Sequence, residues 1–129
     1  MSLSEKVKQF FKDRPEVSLV ILYGSQAKGD ATSTSDVDVA VAGEGPLDAE
    51  NLVRFNVELT NILRKEVDIL DLTQSTGTIL EEALAGGQLL LNKNPGIYAE
   101  LIKKLIYDKT DFRPYYDRIL AERRKRYFG

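Results

Sequence analysis

The chain has 129 residues, with 18 Lys and Arg against 20 Asp and Glu, a net charge of -2, and neither cysteine nor histidine. That length suits one domain with a sizeable core, and the missing residue types exclude disulfides, thiolate nucleophiles, Cys/His zinc sites and histidine-based triads. Any metal must bind oxygen ligands, which favours magnesium, manganese or calcium.

Ser2 and Glu5 have the spacing of a capping box and predict a helix over about residues 3–13, ended by Pro15. "VSLVILY" (17–23) is a β-branched and aliphatic run and predicts a buried strand. "DVDVAVA" (36–42) alternates, so Val37, Val39 and Val41 share one face of a second strand while Asp36, Asp38 and Ala40 share the other. After "GEGP", Pro46 suits the first turn of a helix over 47–64, whose stripe is Leu52, Phe55, Leu59 and Ile62. "EVDILDL" (66–72) predicts a third strand. Ser75 or Thr76 could cap a helix through "TILEEALA", closed by Gly86 and Gly87. "QLLLN" (88–92) predicts a fourth strand. An amphipathic helix follows "NPG", with Ile97, Leu101 and Leu105 beside Tyr98, Ile102 and Ile106, and a last helix runs over about 114–127.

These elements describe an α/β (α+β) fold, a mixed sheet of about four strands flanked by helices. Residues 1–94 form the core, and 95–129 form carboxy-terminal helices that pack on it and present a basic tail. Between residues 113 and 128 lie six basic and two acidic residues, so this segment is +4 and the rest is -6. An acidic body of that kind is no general nucleic-acid binder, and no stable nucleic-acid template is expected. No apolar run nears the roughly 20 residues that cross a bilayer. "MSLSEKVKQFF" lacks the basic-then-apolar order of an export signal, so a cytoplasmic protein without membrane contact is expected.

The chemistry concentrates in "YGSQAKGDATSTSDVDVAV" (23–41). Gly24 removes a Cβ where a ligand or another backbone comes close. Ser25 is a good helix N-cap, and a helix starting there would aim free N–H groups at a phosphate. Asp36 and Asp38, two apart on a strand, project from one face and repel unless a divalent cation binds both. If the second and third strands are parallel, joined by the intervening helix, their beginnings lie side by side. Asp68 then joins the pair, whereas Asp71, of opposite parity, faces away. Three carboxylates beside a phosphate-binding turn describe two-metal phosphoryl chemistry.

Gly-Ser followed by ten residues and Asp-x-Asp resembles the signature of the DNA polymerase beta-like nucleotidyltransferase superfamily, and "VDILDL" resembles its third active-site strand. The small size and the ending "YDKTDFRPYYDRILAERRKRYF" are similar to the minimal nucleotidyltransferases, the MntA-like antitoxins paired with HEPN-domain toxins. The resemblance implies a magnesium-dependent enzyme (manganese possible as substitute, in a two-ion site) that uses ATP and moves AMP onto a tyrosine of a HEPN-domain toxin partner. It assigns the triphosphate to Gly24 and Ser25 and the metal and catalytic roles to Asp36, Asp38 and Asp68. Lys28, where many relatives have arginine, can meet a phosphate as a point charge.

Two other functions remain open at this stage. One is a non-catalytic antitoxin that masks its partner through the basic, apolar-striped tail. The other is nucleotidylation of a small molecule such as an aminoglycoside, for which relatives generally carry a further substrate-binding domain.

Overall fold

A computed structural model describes residues 1–24 and 36–107. Helix α1 (Leu3–Lys12) opens on Ser2, whose side chain accepts from Glu5 N at 3.2 Å. The Ser2 hydroxyl also donates to the Glu5 carboxylate at 3.1 Å, so Glu5 returns to the cap's hydroxyl. Strand β1 (Leu19–Tyr23) is followed by β2 (Val37–Ala42) and by helix α2 (Ala49–Leu63). Asp48, not Pro46, prepares the start of α2: its side chain accepts from Glu50 N at 3.2 Å, so the helix begins later than the proline suggests.

Strand β3 (Val67–Asp71) runs into a 3-10 turn (Leu72–Gln74), then helix α3 (Gly77–Gly86), strand β4 (Gln88–Asn92) and helix α4 (Pro95–Tyr107). Neither expected cap acts at α3. Thr76 holds the N-cap position without a side-chain hydrogen bond, and the Ser75 hydroxyl donates to Asp71 O at 2.9 Å. The expected helix over 114–127 lies outside the described residues. No described helix is long and apolar enough to cross a membrane.

The sheet has the order β3-β2-β1-β4. β1 pairs antiparallel with both β2 and β4, and β2 pairs parallel with β3, so the sheet is mixed. On β4 the register slips by one opposite Val20 and Ile21, leaving Leu90 as a bulged residue.

Strand parity sorts the core into two layers. On one face Val20, Leu22, Val37, Val39, Val41 and Val67 pack against Val7, Phe10 and Phe11 of α1 and Phe55, Leu59 and Leu63 of α2. Phe10, Phe11 and Phe55 meet edge to face, with ring centroids 4.9 to 6.0 Å apart. Arg14 lies over the Phe10 ring at 3.8 Å and pairs with Glu58 at 2.8 Å, joining α1 to α2. The α2 stripe therefore runs through Leu63. Ile62, expected inside, is 47% exposed, because residues 55, 59 and 63 stay in line at four-residue steps and residue 62 rotates off the buried side.

On the other face Leu19, Ile21, Ala40 and Ala42 pack against Leu80, Ala83 and Leu84 of α3 and Tyr98, Leu101, Ile102 and Leu105 of α4. The alanines of β2 leave room for these helices. Tyr98 is fully enclosed and acts as packing, as the periodicity predicts.

Candidate active site

The carboxylates follow directly from the register. Asp38 pairs with Tyr23 across β1 and β2, and with Asp68 across β2 and β3. Tyr23, Asp38 and Asp68 thus form one row across three strands. By parity the row lies on the face that carries Ala40, Ala42 and Leu70, beyond the apolar part covered by α3 and α4. Asp38 is half-buried there and Asp68 is exposed. Asp36, also exposed, sits just before β2, where Val37 N donates to Glu66 O at 2.9 Å and holds the two strand beginnings together.

Asp71 faces the opposite way, as its parity predicts. It is buried, accepting from Leu47 N at 2.8 Å, Thr73 N at 3.0 Å and Thr73 Oγ1 at 2.8 Å. Its carboxylate is a structural hub that ties the end of β3 to the segment before α2.

Gly24 closes β1 with a left-handed backbone, φ +72°. A methyl group there would lie 2.5 Å from Asp38 Oδ2. Among the described residues the close neighbour is the Asp38 side chain, not another backbone. Ser25, Lys28 and Asp30 lie outside the described residues.

Electrostatics mark the row as strained. Burial first, then the charges of Asp68, Asp36 and Glu82, push the Asp38 carboxyl above its ordinary value. Burial, then Asp38, Asp68 and Glu82, push the Tyr23 phenol up to about 12. Tyr23 and Glu82 therefore border the site, although neither stands out in the sequence. The signal for Tyr23 was available in its place, one residue before Gly24 at the end of the strand that pairs with β2. Glu82 needed the docking of α3, which no local pattern gives.

Oxygen donors on adjacent strands, close enough that Asp68 and Asp36 add to the ionisation cost that burial imposes on Asp38, are of the hard type that divalent cations take. Among the described residues no group of three or more acidic side chains is placed to hold a metal ion, so Asp38 and Asp68 are brought together as a pair while the expected trio with Asp36 is not closed.

A family model described as polymerase beta, nucleotidyltransferase matches residues 5–96, which include all four strands. The chain belongs to this nucleotidyltransferase family. It is similar to the protein adenylyltransferase MntA of Shewanella oneidensis, with 28% identity over 88 residues covering 66% of this chain and 62% of that protein. A Methanocaldococcus jannaschii protein, provisionally named a protein adenylyltransferase, is 28% identical over 65 residues, 50% of this chain and 66% of its own length. The nucleotidyltransferase thus matches just under two thirds of each of these relatives.

Among solved structures, it resembles a chain of a toxin–antitoxin complex with AMP-PNP, with a TM-score of 0.70 and 23% identity, covering 95% of this chain and 93% of that one. It also resembles a chain in a complex of tri-AMPylated Shewanella oneidensis HEPN toxin with MNT antitoxin, with a TM-score of 0.64 and 21% identity, over 95% and 91% of the two chains. These likenesses establish a shared fold.

Proposed function

We propose that this nucleotidyltransferase is a metal-dependent protein adenylyltransferase that serves as an antitoxin, moving AMP from ATP onto a tyrosine of a cognate HEPN-domain toxin. One observation carries the reading: Asp38 and Asp68 are direct partners on one face, beside the glycine that ends β1. The named activity of the curated relatives and the toxin–antitoxin complexes of matching fold support the choice of acceptor.

In the reaction, the phenolic oxygen of the acceptor tyrosine bonds to the α-phosphorus of ATP. The α–β anhydride bond breaks, diphosphate leaves, and the phenolic proton passes to a base. Asp68, exposed and at the rim of the row, would accept that proton. Asp38 and Asp68, with Asp36 alongside, would hold magnesium or manganese. Bound there, the ion would supply charge stabilisation to the phosphoryl group and lower the basicity of the attacking oxygen. Gly24 and Ser25 would receive the triphosphate, with Lys28 as a further phosphate contact. Tyr23 borders the row as a neutral phenol, and Glu82 adds its charge to those acting on Asp38.

The test is transfer of label from α-labelled ATP, with magnesium or manganese, to the product of the neighbouring gene co-purified with this chain. The expected outcome is a labelled partner, lost in Asp38→Asn and Asp68→Asn. Neutralisation of the partner by both variants, with no labelling by the wild type, would leave a masking antitoxin instead.

A further inference from the structure

We propose that Gly24 is a positioning residue for Asp38: its missing Cβ is the space into which the Asp38 carboxylate is set. The proposal rests on the nucleotidyl-transfer reading above and adds to it a job for the glycine that is separate from any contact with the triphosphate. A Cβ at position 24 would meet Asp38 Oδ2 at 2.5 Å, Cγ at 3.4 Å and Cβ at 3.6 Å, all of them atoms of this one side chain. Real Cβ atoms essentially never approach an oxygen that closely, so either the carboxylate or the backbone must move.

The carboxylate, the free end of the Asp38 side chain, is the part that yields. Its strand is paired on both sides, to Tyr23 and to Asp68, so the Asp38 backbone is fixed. The like charges of Asp68 and Asp36 act on the carboxylate wherever it moves. A displaced Oδ2 no longer shares a row with Asp68, and the pair loses its common focus.

The second left-handed glycine separates the two reasons for having glycine. Gly77 has φ +62°, yet nothing lies within 4 Å of where its Cβ would be. At Gly77 only backbone strain opposes a side chain. At Gly24 strain and overlap both oppose it, and the overlap depends on the side chain of residue 38.

The experiment is a double-mutant cycle on the full chain. Urea unfolding with EDTA present compares Gly24→Ala in the wild-type and Asp38→Ala backgrounds, with Gly77→Ala in both as the measure of backbone strain alone. Asp38→Ala is expected to recover a clear part of the loss caused by Gly24→Ala and none of the loss caused by Gly77→Ala. Recovery of folding in the double variant, where Gly24→Ala alone does not fold, is the same result in its extreme form. Equal losses at Gly24 in both backgrounds, or failure to fold in both, overturn the proposal.

Mn2+ binding followed by electron paramagnetic resonance supplies a readout that a merely structural glycine would not move. Affinity is expected to fall about tenfold or more in folded Gly24→Ala, the scale seen when a ligand's supporting partner is lost, and to stay at the wild-type level in Gly77→Ala. Unchanged affinity in Gly24→Ala overturns the proposal. Absence of Mn2+ binding by the wild type would instead sink the metal reading, and the unfolding cycle would still decide whether Gly24 makes room for Asp38.

Discussion

Asp38 and Asp68 are register partners on adjacent parallel strands, so their side chains leave the sheet side by side on the same face. Their repulsion, joined by that of Asp36 and added to partial burial, makes the metal-free row a local liability. Removing the charge at Asp38 should therefore stabilise the metal-free fold while destroying the chemistry. Asp38→Asn is expected to raise Tm by a few degrees in EDTA. It should also lower the labelling rate at least about 100-fold, the scale of losing several kcal/mol of transition-state stabilisation. Calorimetry beside a labelling assay reads both, and a lower Tm would contradict the electrostatic account.

Asp71 makes the opposite prediction. Its carboxylate is buried and accepts three hydrogen bonds from Leu47 and Thr73. Asp71→Ala leaves two backbone donors and a hydroxyl without their partner, at an expected cost of about 2–5 kcal/mol in urea unfolding. Labelling per folded molecule should be retained, since the side chain lies on the other face.

Tyr23 gives a prediction at alkaline pH. In the unfolded chain its phenol ionises near 10, and in the folded one near 12. Between these values the unfolded state holds fewer protons, so stability falls as pH rises. Urea midpoints should decline more steeply from pH 10 upward in the wild type than in Tyr23→Phe. Parallel slopes would show that the phenol is not held neutral by its burial beside the row.

Leu63 and Ile62 test the packing of α2. Leu63 is 9% exposed and Ile62 47%. Leu63→Ala should cost about 2–4 kcal/mol, as a large-to-small core change does, whereas Ile62→Ala should cost under about 1 kcal/mol. Chemical denaturation of the two single variants settles the order.

Those two residues also mark how far the sequence could be read. Strand positions and faces were legible because alternation is a strict two-residue rule, and it put Asp68 on the face of Asp38 and Asp71 on the other. The parallel pairing of β2 and β3 followed from the helix between them. The buried line of α2 was less legible, because Ile62 and Leu63 are adjacent and both apolar, and three- and four-residue steps fit the stripe equally well until the angle of docking chooses. The start of α2 was misread at Pro46, where Asp48 two residues on supplies the cap, whereas Thr76 does stand at the N-cap of α3 and lacks only the side-chain hydrogen bond. Tyr23 and Glu82 join the acidic row only through pairing and helix docking, and neither leaves a periodic trace.

The segregation of side chains between the two faces of the sheet has a practical consequence. The aromatic cluster under α1 and α2 lies on the opposite face of the sheet from Asp38 and Asp68, so substitutions that silence chemistry leave that layer of the scaffold in place. On the proposed function, a cell carrying such an inert copy would keep whatever surface engages a partner while losing the modification. Occupancy and covalent marking thereby become separable causes of any phenotype.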